Sequence, residues 1–196
     1  CKICPRECSI DRNSVKGFCG VGALPVVAKA FLHMWEEPCI SGVNGSGTVF
    51  FSGCNLKCVY CQNYTISQEH FGKETTIDGL RRIFLNLQNK GAHNINLVSP
   101  SHYVLQIREA LEGLPELNIP VIYNSNGYES REGLMVMEGL VDVYLPDLKY
   151  CSSETASKYS GAGNYFEITA RALLEIHRQV GSTVFDGNGM IKKGMI

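Results

Sequence analysis

At 196 residues, 44% hydrophobic and 19% charged, the chain has the make-up of a globular domain with a sizeable core, neither disordered nor fibrous. A formal net charge of −1 supplies no basic field to neutralise phosphates, which argues against nucleic-acid or anionic-membrane partners and favours small molecules or proteins. No apolar run approaches the ~20 residues of a membrane-spanning helix, and no charged-then-apolar signal segment opens the chain.

The start at Cys1 without Met suggests trimmed residues. Nine cysteines are an odd number, and seven of them fall in two tight clusters. That pattern suits metal thiolates better than a disulfide framework and implies a reducing, cytoplasmic setting.

In chain order, residues 1–40 read as a small cysteine-rich module. Cys1, Cys4, Cys8 and Cys19 place four thiols in under twenty residues, punctuated by Pro5, Gly17 and Gly20, with too few apolar residues to fold without a staple. The preferred reading is a second metal site, zinc or an auxiliary iron–sulfur cluster; reduced thiols without metal and disulfides are the alternatives. Cys39 and Cys151 have no partners at ligand spacing and read as packing residues. Trp35 and the Glu36-Glu37 pair carry no signal.

A glycine-rich turn at residues 41–47 marks the boundary to a second unit, residues 41–196. Strand-like runs then alternate with helix-period segments: 48–53, 76–90, 94–99, 102–114, 119–123, 130–140, 141–145 and 152–180. Ile77, Leu80, Phe84 and Leu87 share one helical face, and Tyr103, Ile107, Ala110 and Leu114 another. The strands are short and mostly apolar, as in a parallel sheet covered by helices. The fold expected is therefore α/β, a partial TIM-type (β/α) barrel of about four to five units. A whole barrel needs ~250 residues. The last segment, FDGNGMIKKGMI, reads as stopping where a fifth strand is about to begin, so the core is expected to be incomplete at its C-terminal end.

Cys54, Cys58 and Cys61 follow the run Thr48–Phe51 directly. Their spacing fits one helical face, so a buried apolar stripe is the plain alternative. The strand before them, Gly53, and the polar Asn55, Lys57, Gln62 and Asn63 around them favour a loop at a strand's carboxyl end. Extended, Cys54 to Cys61 would span about 23 Å at roughly 3.3 Å per residue, so convergent sulfurs require the loop to curl around something. A structural zinc would want four ligands. Three thiolates suit a [4Fe–4S] cluster with one iron lacking a protein ligand.

The Cys-x3-Cys-x2-Cys pattern with Tyr60 before the third Cys resembles the radical S-adenosylmethionine (SAM) enzymes. Residues 33–63 and VDVYLPDLKY extend the resemblance toward the pyruvate formate-lyase activating enzymes, over about residues 33–180. It implies an enzyme in which a [4Fe–4S] cluster on Cys54, Cys58 and Cys61 holds SAM and cleaves it reductively to a 5′-deoxyadenosyl radical, the cofactors supplying the hard chemistry.

Each later motif follows a strand, and in such folds the carboxyl ends of the strands carry the site. By resemblance, Ser99, Ser101 and His102 occupy the place of a Ser-Gly-Gly-Glu that holds the methionyl amino group; Pro100 stands for a Gly and His102 for the Glu. Asn124 and Ser125, within Asn124-Ser125-Asn126-Gly127, match an Asp-Thr-Asn-Gly of a cation and SAM environment, with Asn124 in place of the acid. Asp147 would contact SAM or its cation, Lys149 the methionyl carboxylate, and Tyr60 the adenine through its backbone. No side chain beyond the cluster ligands is assigned to catalysis.

The implied partners are a low-potential electron donor such as flavodoxin or ferredoxin and a protein substrate, whose glycine would lose hydrogen. Radical modification of a small molecule or peptide, and a non-catalytic iron–sulfur or zinc module, are the competing readings. Formation of 5′-deoxyadenosine separates the enzymes from the module.

Overall fold

A computed structural model describes residues 1–196. Its centre is a mostly parallel sheet of order β3-β1-β2-β4-β5-β6-β8-β7. The five parallel strands are β2 (Ser46–Phe51), β4 (Ile95–Val98), β5 (Val121–Ser125), β6 (Val143–Pro146) and β8 (Ile191–Met195). Antiparallel strands flank them: β1 (Val26–His33) and β3 (Lys73–Glu74) at one edge, β7 (Val184–Phe185) at the other. This is the partial β/α barrel expected.

The helices are α1 (Pro38–Ser41), α2 (Tyr64–Ser67), α3 (Ile77–Asn89), α4 (Val104–Glu112), α5 (Arg131–Val136), α6 (Ser153–Ser160) and α7 (Tyr165–Val180). Helix α3 begins where it should: the Thr76 hydroxyl accepts the Gly79 N–H at 3.1 Å, a cap worth ~1 kcal/mol. Its apolar stripe then buries Leu80, Phe84 and Leu87 completely, each contributing about 1.5–3 kcal/mol. No helix is long and apolar enough to cross a membrane.

Three differences from the sequence reading have physical causes. The 26–33 stretch, placed within the N-terminal module, is an edge strand of the sheet, paired antiparallel with β2. The 152–180 segment is two helices, because Gly161 adopts a left-handed φ of 63° that ends α6. The fifth parallel strand is not still to come: IKKGM is that strand, and Val143 and Tyr144 pair with Gly194 and Met195. Its other side pairs with β7, so that edge is covered along part of its length. Cys39 packs with Ile40, Ile122, Val143 and Ile191, as expected, whereas Cys151 is exposed.

Period-two alternation assigns the strand faces. Val49, Phe51, Ile95, Leu97, Val121, Tyr123 and Tyr144 point to the helices and form the main core. On the opposite face, register aligns Phe50 with Val98, Val98 with Asn124, and Asn124 with Leu145. That row lies at the carboxyl ends of the strands, where the loops begin.

Candidate cofactor site

At this end a cavity of about 590 Å³ opens, within the size range of small-molecule sites. Loops after four strands line it. The β2 loop supplies Gly53, Cys54, Cys58, Tyr60 and Cys61; the β4 strand and loop supply Val98 and Ser99; the β5 end supplies Asn124, Ser125 and Asn126; the β6 loop supplies Asp147 and Lys149. Residues separated by almost a hundred positions thus face one space.

Every sulfur of the β2 loop receives a polar neighbour. Leu56 N–H and Asn126 Nδ2 each donate to Cys54 Sγ at 3.4 Å. Ser160 Oγ donates to Cys58 Sγ at 2.8 Å, and Ser67 Oγ lies 3.2 Å from Cys61 Sγ. Burial pushes the Cys54 thiol up to about 11 despite the Leu56 bond. Such a sulfur ionises at neutral pH only beside a strong positive charge, which a bound metal supplies. Three thiols with donors already aimed at them therefore fit a thiolate-bound iron–sulfur cluster. As free thiols, no three His, Cys, Asp or Glu side chains anywhere in the chain are drawn in to the spacing of a single ion; closing the loop belongs to metal binding itself.

The loops are locked to one another. Asn126 Nδ2 donates to Asn55 Oδ1 at 2.8 Å, and Asn55 Nδ2 donates to Tyr128 O at 2.7 Å, tying the β5 loop to the cysteine loop. The Tyr165 hydroxyl accepts the Lys149 N–H at 3.0 Å and reaches Asn126 O at 2.7 Å and Asp147 O at 2.9 Å. Gly127, at φ 74°, is pressed so closely on Asp147 O that a β-carbon there would collide with it. Tyr60 continues the pattern through hydroxyls: its OH bonds Tyr150, Tyr150 OH lies 2.6 Å from Ser160 Oγ, and Ser160 bonds Cys58.

Charge is confined to few groups. Lys149 Nζ is ion-paired with Asp147. Burial alone would lower the Lys149 pKa, but the bond and charge of Asp147 hold it above the ordinary lysine value. Ser99 sits at a left-handed φ of 57°, a conformation costly for a non-glycine residue and common at ligand sites.

Of the residues singled out by sequence, Cys54, Cys58, Cys61, Tyr60, Ser99, Asn124, Ser125, Asp147 and Lys149 share the cavity. Ser101 and His102 do not line it. Both are buried behind its wall, Ser101 bonded to the Glu129 carboxylate and His102 Nε2 bonded to Ser52 O at 2.8 Å. Cys1, Cys4, Cys8 and Cys19 form a separate group.

The sequence reading passed over His33 and Glu36, which line the cavity from the segment between β1 and α1. Ser41 Oγ fixes that turn by accepting the Glu36 N–H at 2.9 Å. Glu36 is half-buried, and burial raises its carboxyl above the usual range. It also passed over Glu129 and Tyr165. No local spacing marks any of the four, since each acts through contacts distant in sequence.

Comparison with known proteins agrees with this geometry. The Radical SAM superfamily model matches residues 48–191. The uncharacterized protein MJ0674 of Methanocaldococcus jannaschii is 36% identical over 184 residues, covering 90% of this chain and 53% of that protein. Pyruvate formate-lyase 1-activating enzyme of Escherichia coli K12 is 28% identical over 148 residues, covering 68% of this chain and 58% of the enzyme. The chain thus spans little more than half the length of these curated relatives. A family match over most of the chain, with its cysteine loop and three further strand-end loops on one cavity, places the protein in the radical SAM superfamily.

Proposed function

We propose that the protein is a radical SAM enzyme of the activating type, which removes a hydrogen atom from a substrate, a glycine of a partner glycyl-radical enzyme. The observation that carries this reading is the convergence of Cys54, Cys58, Cys61, Asn124, Ser125, Asp147 and Lys149 on one cavity in a chain similar to an activating enzyme. When bound, the [4Fe–4S] cluster and SAM supply the electron transfer and the 5′-deoxyadenosyl radical, with the electron delivered by a flavodoxin or ferredoxin.

In this reading the chain's own residues bind, orient and shield. Cys54, Cys58 and Cys61 would hold the cluster, with Leu56 N–H and Asn126 Nδ2 donating to Cys54, Ser160 Oγ to Cys58, and Ser67 Oγ beside Cys61. Lys149, kept cationic by Asp147, offers its ammonium to a carboxylate of the ligand. Asn124 and Ser125 supply neutral hydrogen-bonding groups beside it, and Ser99 supplies backbone at the opposite lip. Tyr60, Phe50 and Val98 exclude water from the reacting end of the cavity. His33 and Glu36 face the same space from the side away from Asp147 and Lys149 in sequence and fold, and are assigned to substrate.

The test is anaerobic reconstitution with iron and sulfide, followed by reductant and SAM. Formation of 5′-deoxyadenosine, and a protein radical signal on adding a glycyl-radical enzyme, is the expected result. Absence of 5′-deoxyadenosine from protein that carries a full cluster would refute the reading.

A further inference from the structure

The N-terminal cysteines carry a second site. Cys4 and Cys19 are buried. A β-carbon on Gly17 would lie 3.6 Å from the Cys8 sulfur and 3.7 Å from that of Cys19, so both sulfurs flank this one bare position. Ser9 N–H donates to Cys1 O at 2.8 Å and closes residues 1–9 into a loop that starts at Cys1.

A backbone donor already points at one of these sulfurs. Phe18 N–H bonds Cys8 at 3.4 Å, as Leu56 N–H does at Cys54 in the radical site. Glu7 and Ser9, on either side of Cys8, hold left-handed φ values of 42° and 53°, a conformation costly for non-glycine residues. Among the few buried side-chain nitrogens and oxygens without a partner are Arg6 Nη2, between Cys4 and Cys8 in sequence, and His70 Nε2, packed on Gly20 beside Cys19. Neutral thiols are weak acceptors, whereas metal-bound thiolates accept well and need such outer bonds.

We infer that Cys1, Cys4, Cys8 and Cys19 hold a second metal–thiolate centre, closed by four sulfurs, and that this centre braces the loop of Cys54, Cys58 and Cys61. The brace is visible in two places. Arg6 Nε donates to Asn55 O and its Nη1 to Gly161 O, both at 2.7 Å, with the guanidinium 3.9 Å above the Phe18 ring. Cys19 O would lie 2.6 Å from a β-carbon on Gly53, the residue before Cys54. Four thiolates with no open position make the centre structural rather than reactive. The bracing role rests on the radical SAM reading of the Cys54 loop; the metal does not.

Metal analysis of the full chain tests the site. A Cys54→Ala/Cys58→Ala/Cys61→Ala protein, purified and reconstituted anaerobically, should retain either about one zinc or a cluster's iron and sulfide, and lose it on adding Cys4→Ser and Cys19→Ser. Zinc and iron arms identify the metal; none in either arm overturns the proposal. Should the triple variant not fold, Cys8→Ser in the intact chain must lower metal content relative to the parent, and equal content overturns it. For the brace, Cys8→Ser and Arg6→Ala should each raise amide hydrogen exchange at residues 54–58 roughly tenfold or more; unchanged exchange refutes that half. A parent chain that holds the N-terminal metal but forms no 5′-deoxyadenosine would sink the enzymatic reading and leave the site standing.

Discussion

Directly behind the cavity wall, two buried titratable groups shift in ways that oppose one another in the pH dependence of stability. Glu129 has no basic partner; burial raises its carboxyl to about 7 from an ordinary 4.5, while the Ser101 hydroxyl and Tyr123 OH, the latter at 3.1 Å, bond it. Between pH 4.5 and 7 the native state holds a proton there that the unfolded state has released. Stability is therefore full below 4.5 and falls as pH rises to 7, by roughly 3 kcal/mol at 1.36 kcal/mol per pH unit. His102 runs the other way. Burial, helped by the Arg12 charge, lowers it to about 4 from 6.5, so the unfolded state binds a proton first as pH falls. Its contribution is full above 6.5 and is lost toward 4, again by roughly 3 kcal/mol. Over pH 4.5–6.5 the two cancel in the native protein. Glu129→Gln should uncover a stability that rises with pH, and His102→Gln one that falls. Urea unfolding under anaerobic conditions at pH 5, 6, 7 and 8, read as the difference from wild type at each pH, removes the surface groups common to all three proteins. A pH-independent offset from the lost ring or carboxylate leaves the slopes unaffected. Variant profiles parallel to wild type within about 1 kcal/mol would refute the reasoning, because a slope of this size cannot be hidden by that offset.

Three further outcomes are expected. Cys58→Ala should abolish the broad visible absorption of the cluster and 5′-deoxyadenosine formation together; retention of both would remove Cys58 from the ligand set. Lys149→Met should weaken SAM binding by about ten- to a hundredfold in anaerobic calorimetry, the worth of a charged hydrogen bond, and unchanged affinity would place the ammonium outside the ligand. Gly53→Ala, at φ 84° and with its new methyl only 2.6 Å from Cys19 O, should destabilise the fold by about 2 kcal/mol or more in urea unfolding, and a neutral result would contradict the close packing of the two loops.

The parts of the fold legible in sequence were those fixed by local chemistry. Helix α3 announces itself by its apolar period and by Thr76, and β4 through β6 by short apolar runs between turn signals. The strand β1 does not, because Val26–His33 shows no alternation of buried and exposed residues; an edge position and pairing with β2 make it a strand. The break between α6 and α7 was written in Gly161, a left-handed cap, and was readable. By contrast IKKGM, with two lysines and a glycine, has weak strand character and takes its conformation from β6. The site divides likewise. Cysteine spacing and motifs at strand ends are local signals, whereas Tyr165 binds the β5 and β6 loops from a distant helix, and His33 and Glu36 reach the cavity only through the folding of β1 onto β2.

Strand register explains why Ser101 and His102 stand apart from the other strand-end residues. Because side chains alternate, Asn124 and Tyr123 must face opposite sides of β5: Asn124 enters the cavity beside Val98, and Tyr123 turns to the helices, 5.4 Å from Tyr144 between ring centres. Glu129 lies on the helix side with Tyr123, and Ser101 reaches it there. The wall between cavity and core thus carries a buried network immediately behind Ser125, and His102 fastens its far end to Ser52 O, two residues before Cys54. These residues touch the strand ends rather than the cavity. They hold Ser52 and the β4 and β5 loops at fixed spacing, so that the cysteine loop and Asn124 keep one geometry. Substitution there should loosen the positions of cavity groups without removing any of them, which separates a positioning effect from loss of a ligand contact.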